Sequence, residues 1–184
     1  EPYRSNLKDR LKNHLVAHID DQAREGQFLK NTQDFERLPE SLKSVVKDPD
    51  AASVLARSYQ AIGQDRQASK LFKKGMKAQN PLAKLTATFN YATTMGALAY
   101  TGQGKVRNVS DETSMKQADQ TMLRQWRGLS DSDKQEFLKV QRKNLEASLA
   151  QEAPLRGPAV ILLQHYQGKT EKTGDKKILS TFSG

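Results

Sequence analysis

The chain has 184 residues, of which 36% are hydrophobic and 28% charged, and its formal net charge is +9. This length predicts one domain of ordinary size, with or without a tail. The absence of cysteine excludes disulfides, thiolate metal sites and cysteine nucleophiles. The longest apolar run is Ala159–Leu163. No membrane span is expected, because a spanning helix needs roughly 18 or more apolar residues.

The first residues, Glu1-Pro2-Tyr3-Arg4, include neither an initiator methionine nor an apolar signal core. We therefore expect a processed product or a domain excised from a longer polypeptide. Localisation and oligomeric state stay open at this point.

Apolar residues recur at helical spacing from the start of the chain, which predicts a long first helix after a cap at Ser5. The pattern does not decide whether this helix continues through Gly26 or is broken there. The stripe of this helix is Leu7, Leu11, Leu15 and Ile19, continued by Phe28 and Leu29. Residues 32–35 are typical of a turn start. Leu42, Val45 and Val46 predict a short amphipathic helix that ends near Asp48-Pro49.

Residues 50–81 have the pattern of a helical hairpin. Asp50 is the expected cap of the first helix, Gly63-Gln64 the break, Asp65 the cap of the second helix, and Asn80-Pro81 the stop. Residues 82–100 are mostly small and apolar, so this segment should be buried.

The second half begins with a predicted loop at 101–110, followed by helices at about 112–127 and 131–151. Ser130 and Asp133 form an acidic variant of a capping box. Phe137, Val140 and Leu145 are the expected inward stripe of the last helix. Residues 159–166 are compatible with a buried helix or a short strand, and the polar composition of 168–184 indicates a mobile tail with Ile178, Leu179 and Phe182 as a docking point.

The periodicity thus predicts an all-α fold of six to eight helices. The architecture expected is a multi-helix bundle or an irregular helical array built from helical hairpins, with a flexible C-terminal tail. Residues 1–167 are expected to form a single helical domain and residues 168–184 the tail.

The positive charge is concentrated in residues 51–109, which hold nine basic residues and one acidic residue, Asp65. At 100° per residue, the cations of the second hairpin helix fall on one face, opposite its apolar residues. Lysines four residues apart on such a face repel each other, which destabilises the helix slightly. Binding of phosphates to this face would account for the arrangement. A solvated face is the alternative interpretation. The candidate binding residues are Arg66, Lys70, Lys73, Lys74, Lys77, Lys84, Lys105 and Arg107.

Residues 52–81 resemble a single tetratricopeptide repeat. The residues that carry the resemblance are Leu55, Ala56, Tyr59, Gly63, Ala68, Phe72, Gly75 and Pro81. The chain departs from the family in three ways. It lacks the tryptophan at the start of the repeat, its proline falls one residue late, and the residues one repeat length further along match the pattern poorly. An ordinary helical hairpin explains the same residues.

A second short stretch resembles the join between the second and third helices of an HMG box. It consists of Trp126, Leu129, Ser130, Lys134 and Phe137. The basic N-terminal strand and first helix of that family have no counterpart here, so no DNA-binding residue is carried over. A capped helix start beside a core tryptophan explains the stretch equally well.

Metal and catalytic patterns are weak. His14 and His18 stand four apart with Asp21 near, a geometry that zinc or copper would accept, but the glutamate of a zincin is missing. No metal site, cofactor or catalytic residue is predicted.

We therefore expect a non-catalytic basic helical binding module. Its partner would be a nucleic acid backbone, DNA or RNA with weak sequence preference, or an acidic protein surface. One alternative is a tetratricopeptide-like adaptor or secretion-linked protein with an exposed apolar groove. Another is a helical enzyme with an acid-based site, whose mark would be a cleft with a buried carboxyl of raised pKa.

Overall fold

The computed structural model of the chain describes the backbone of residues 2–149 and the side chains of residues 3–141. All regular elements within this range are helices, as predicted. The predictions for residues 150–184, including the tail at 168–184, lie outside the described residues. The described helices belong to two compact units, one that ends at Gln79 and one that begins at Asn80. A single domain over residues 1–167 stays a prediction.

The first unit is organised around its fourth helix. Its elements are α1 (Pro2–Arg24), α2 (Phe28–Glu36), α3 (Glu40–Lys43), a 3₁₀ turn (Ser44–Lys47), α4 (Pro49–Ala61) and α5 (Asp65–Gly75). Helix α4 packs against α1, α2, the 3₁₀ turn and α5. It therefore buries residues on several sides, and these are Ala51, Ala52, Leu55, Ala56, Ser58 and Tyr59.

Three helices of this unit begin earlier in the chain than predicted. Helix α1 includes Pro2, so Ser5 lies inside the helix and does not cap it. Helix α4 is capped by Asp48, whose carboxylate accepts hydrogen bonds from the amides of Asp50 and Ala51. In both cases a proline is suited to the first turn because its φ is already helical and its missing N–H is not needed there.

The start of α5 also differs from the prediction. Its N-cap is Gln64, which makes no side-chain capping hydrogen bond, and Asp65 is the first helical residue. At this position the negative charge of the Asp65 carboxylate interacts favourably with the positive end of the helix dipole and stabilises the helix. Gly63 ends the preceding helix, as predicted, with a φ of 80° that glycine adopts without strain.

Residues 32–35 are helical, so the predicted turn at this place was wrong. They belong to α2, which begins after the break at Gly26 and buries Asn31, Thr32 and Phe35. Two of these three residues are polar, so the sequence does not show the apolar periodicity by which a helix is recognised. The short helix predicted before Asp48-Pro49 is confirmed as α3 and the 3₁₀ turn, with Val45 and Val46 buried.

A buried asparagine connects three helices of the first unit. The Asn31 amide of α2 donates to the backbone oxygen of Ile19 in α1 at 3.0 Å and to the hydroxyl of Ser58 in α4 at 2.9 Å. Tyr59 of α4 adds a second link, because its hydroxyl donates to Glu36 of α2 at 3.0 Å. Buried polar groups are costly when unpaired, so these bonds fix how α1, α2 and α4 meet.

We predict that Asn31→Ala lowers the free energy of unfolding by about 1–3 kcal/mol, because it leaves the buried Ser58 hydroxyl without this donor. Chemical denaturation followed by circular dichroism measures the change. The control is Gln33→Ala, an exposed position of the same helix, which should change stability by less than about 0.5 kcal/mol. Equal losses in both variants would contradict the role of Asn31.

The second unit contains a long helical hairpin and a further helix. Its helices in the described range are α6 (Pro81–Ala99), α7 (Val109–Gly128) and α8 (Asp131–Leu149). Helix α6 packs against both α7 and α8, and it buries nine of its residues, as the sequence predicted. The predicted loop is confirmed for residues 101–108, where Tyr100 and Val106 form an isolated β-bridge, while Val109 and Ser110 already belong to α7.

An aromatic cluster connects α6, α7 and α8. The ring of Phe137 meets Phe89 edge-on at 5.6 Å and Trp126 at 5.9 Å between centroids. Ser130 accepts a hydrogen bond from the amide of Asp133, which confirms the predicted cap of α8. The predicted inward stripe was wrong at Val140, which is 56% exposed. The buried face runs from Phe137 to Gln141, one helical turn later, and the side chain of Leu145 lies outside the described residues.

We predict that Phe137→Ala costs about 3–5 kcal/mol of stability, because it removes a ring that is 99% buried and leaves a cavity. Thermal and chemical unfolding measure the effect. Val140→Ala lies on the same helix and should cost less than about 0.5 kcal/mol because its side chain faces water. A large loss at Val140 would show that the two positions have been assigned to the wrong faces.

None of the helices in residues 2–149 is both long enough and apolar enough to cross a bilayer.

Candidate nucleic-acid interface

Helix α5 is strongly amphipathic, as its sequence predicted. Its buried residues are Ala68, Ser69, Leu71, Phe72 and Gly75, and the helix packs against α4. Burial of Leu71 and Phe72 fixes the rotation of the helix about its axis, since burying such side chains is worth roughly 1.5–3 kcal/mol each. The residues on the opposite face must then point to solvent.

Four lysines occupy that exposed face or the turn after it. Lys70, Lys73, Lys74 and Lys77 are exposed, and among residues 3–141 no carboxylate forms an ion pair with any of them. Arg66 is exposed too, but it is engaged in an interaction of its own. The four lysines therefore carry the argument for a binding surface, and we call them the α5 lysines.

Three other surface cations form ion pairs with acids of their own helices. Lys43 pairs with Glu40 at 2.9 Å, Lys116 with Glu112 at 3.0 Å, and Arg24 with Asp20 at 2.7 Å. Each partner lies three or four residues away on the same helix, the spacing that brings side chains together. On α5 the positions four residues from Lys70 hold Arg66 and Lys74. These neighbours repel Lys70 instead of neutralising it.

The helix dipole accounts for only part of this pattern. Lys73 and Lys74 are in the last turn of α5, where cations stabilise the negative end of the helix. Lys77 lies beyond the helix end at Gly75, in a turn whose amides donate to the carbonyls of Lys74 and Gly75 at 3.1 Å. Lys70 is in the middle of the helix, where the dipole offers it little. The sequence predicted that the second hairpin helix carries Arg66, Lys70, Lys73, Lys74 and Lys77, and this was wrong at Lys77 because the helix ends at Gly75.

The remaining three predicted residues belong to the second unit. Lys84 is half-buried on α6, and Lys105 is exposed in the loop before α7. The Arg107 guanidinium donates hydrogen bonds to the backbone oxygens of Ala97 and Leu98 at 3.0–3.4 Å. Arg107 therefore caps the C-terminal end of α6, where carbonyls lack partners within the helix. Its position has a structural explanation that the α5 lysines lack.

We predict that Arg107→Ala lowers stability by about 1 kcal/mol, because the last carbonyls of α6 lose a charged donor. Lys105→Ala, two residues away in the same loop, should leave stability within about 0.5 kcal/mol of the wild type, because its side chain is exposed. Chemical denaturation of both variants distinguishes the two cations. A neutral Arg107→Ala would return Arg107 to the set of candidate binding residues.

The tetratricopeptide-like positions of the α4–α5 hairpin are core positions. Leu55, Ala56, Ala68 and Phe72 are fully buried, and Tyr59 is almost so. In the HMG-box-like stretch, Trp126 is buried, and the Lys134 ammonium lies 5.9 Å from the centre of its ring. These placements fit both resemblances and equally fit ordinary helix packing, so the two family assignments stay predictions.

The histidine pair is not gathered into a metal cluster within the described residues. His14 is exposed, and the His18 Nε2 atom lies 3.5 Å from a carboxylate oxygen of Asp34. Gln22 donates to the same oxygen at 3.0 Å, and this bond holds the pKa of Asp34 below its usual range. The cluster is a polar contact between α1 and α2.

One residue with unusual electrostatics was missed by the sequence analysis. Asp119 on α7 is 4% exposed, and burial raises its pKa to about 7. It shares the buried stripe of the helix with Met115, Ala118, Met122 and Trp126. An acid at a position of an apolar stripe is the sequence signal that could have identified it.

Asp119 lines a cleft of about 350 Å³ together with Thr113, Lys116, Gln117 and Gln120. A cleft with such a carboxyl is the mark expected of an acid-based enzyme. Among these described lining residues there is no second carboxyl, whereas glycoside hydrolysis of the lysozyme type uses a pair. The acid-based enzyme therefore stays an alternative.

Comparison with protein-family models, with curated proteins and with solved structures finds no match for the chain.

Proposed function

We propose that the first unit is a non-catalytic module that binds the phosphate backbone of nucleic acid through the α5 lysines. The observation that supports the proposal is the exposed row of lysines without carboxylate partners among the described residues. A rise of 1.5 Å per residue separates Lys70 from Lys74 by about 6 Å along helix α5, and Lys77 follows in the turn beyond the helix end. The phosphates of one strand follow each other at about 3.4 Å along a duplex axis, so these lysines can contact successive phosphates.

Binding of this kind carries little sequence information. Lysine presents a flexible point charge and suits phosphate, whereas planar bidentate contacts to base edges are typical of arginine and amides. Four phosphate contacts predict a slope of log K against log salt of about −4 for duplex DNA and about −3 for single strands. Affinity for a duplex would then fall by about 150-fold between roughly 50 and 200 mM salt.

An acidic protein surface offers the same sign of charge at lower density, and it is the nearest alternative partner. A tetratricopeptide-like adaptor is the alternative from another class. The observation that favours it is an exposed apolar stripe on α1, formed by Tyr3, Leu7 and Leu11. Peptide binding to such a stripe would respond weakly to salt, because burial of apolar surface releases no condensed counterions.

We predict that Lys70→Glu/Lys73→Glu/Lys77→Glu weakens binding to a mixed-sequence DNA duplex by at least about tenfold and flattens the salt slope toward zero, because each lost contact removes about one unit of slope. Fluorescence anisotropy at several salt concentrations measures both quantities. Poly(U) RNA tests single strands, and polyglutamate added as a competitor tests the acidic protein alternative.

The matched control is Lys8→Glu/Lys12→Glu/Lys47→Glu, which changes the net charge equally at exposed lysines of the same unit. It should weaken binding by less than about threefold, since only the long-range field changes. Circular dichroism verifies that both variants fold. Equal losses in the two variants would show that affinity follows net charge and would discard the α5 lysines as a site.

A further inference from the structure

A cleft along α7, in the second unit, is lined in part by a buried carboxyl group. Its described lining is Thr113, Lys116, Gln117, Asp119 and Gln120, and its volume is about 350 Å³. Pockets for small molecules measure roughly 300–1,000 Å³. The cleft therefore fits a small organic molecule and is too small for a folded partner.

Asp119 is the unusual member of this lining. Its side chain is nine-tenths buried or more, and its Oδ1 atom has no hydrogen-bond partner among the described residues. Its neighbours on the buried stripe, Met115 and Met122, are apolar. A buried carboxyl in such surroundings destabilises the fold, and it is tolerated most readily where a bound group completes its hydrogen bonds.

The other polar groups of the lining show which groups a ligand would meet. The Lys116 ammonium is already held by Glu112 at 3.0 Å, and the hydroxyl of Thr113 donates to the carbonyl of Val109 at 3.0 Å. The side chains of Gln117 and Gln120 are exposed at the cleft, and their amides can donate or accept. The carboxyl of Asp119 is thus the acceptor that most lacks a donor.

The charged residues near Asp119 do not neutralise its carboxylate. On α6, the helix packed against α7, Lys84 is the one charged residue. Neither Lys84 nor Lys116 lowers the pKa of Asp119, since desolvation is the cause of its shift to about 7. An ionised Asp119 has therefore lost water without gaining a positive partner. A bound ammonium group would supply both the charge and the N–H donors.

We propose that the cleft along α7 binds a small organic ammonium compound whose N–H groups donate to the carboxylate of Asp119. The apolar part of the compound lies along the side-chain stems of Lys116, Gln117 and Gln120. The site is independent of the α5 lysines, because it binds a small cation in the second unit.

Benzylammonium is a suitable probe, and benzyl alcohol is its neutral counterpart of similar shape. Calorimetry or ligand-observed NMR should show benzylammonium binding more tightly than benzyl alcohol. Because only ionised Asp119 pairs with the cation, affinity should rise with pH through 7 and be about 30-fold weaker at about pH 5.5 than at about pH 8.5. Failure of benzylammonium to bind at millimolar concentration, or binding that ignores pH, overturns the proposal.

Asp119→Asn keeps the shape of the side chain and removes the charge. It should weaken benzylammonium binding by more than tenfold, abolish its pH dependence and leave benzyl alcohol unaffected. Glu136→Gln makes the same change at an exposed position of α8 and should leave binding unchanged.

A measurement on the wild type guards against a variant that does not fold. The ¹³C shift of the Asp119 carboxyl should titrate near pH 7 in the free protein, and saturating benzylammonium should lower that pKa by more than one unit. An unchanged titration would overturn the proposal even if the probe binds.

Discussion

The burial of Leu71 and Phe72 in the α4–α5 hairpin is the constraint on which the basic surface depends. Helix α5 has one apolar face, and that face packs against α4, where Leu55, Ala56 and Tyr59 are buried. The small residues Ala56 and Ala68 keep the contact close, because the distance between packed helices follows the size of the side chains between them. With the rotation of α5 fixed in this way, its lysines have no direction other than outward.

The basic surface differs from the ion-paired cations of the described surface in the residues that lie one helical turn away. Lys43 and Lys116 each contact a glutamate one turn away, and pairs of this kind are worth a few tenths of a kcal/mol. Each α5 lysine has at least one lysine or arginine three or four residues away, and none has an acid at these positions. Local stability would favour acids there, so the arrangement costs the helix a little and leaves the charge available to an anionic partner.

Buried polar residues take two opposite roles in the two units. Asn31 is inside the first unit and donates to α1 and α4, so its amide determines how three helices meet. Asp119 is inside the second unit, and its Oδ1 atom has no hydrogen-bond partner among the described residues. A satisfied buried group specifies a fold, whereas an unsatisfied one destabilises it. The Oδ1 atom of Asn31 also lacks a donor among the described residues, but its amide N–H groups link α2 to α1 and α4. We therefore assign a structural role to Asn31 and a ligand to Asp119.

The sequence alone determined the helical class, the hairpin at residues 50–81 and the outward face of α5, because apolar period and glycine breaks are local properties of the chain. It did not determine the caps at Asp48 and Gln64, since the competition between neighbouring cap residues depends on how each proline or glycine directs the backbone. Tertiary structure alone decided that Arg107 holds the end of α6 and that Val140 faces water. It also decided that the Oδ1 atom of Asp119 has no partner among the described residues. Hydrogen bonding between helices depends on which faces meet, and the periodicity of the sequence does not contain that information.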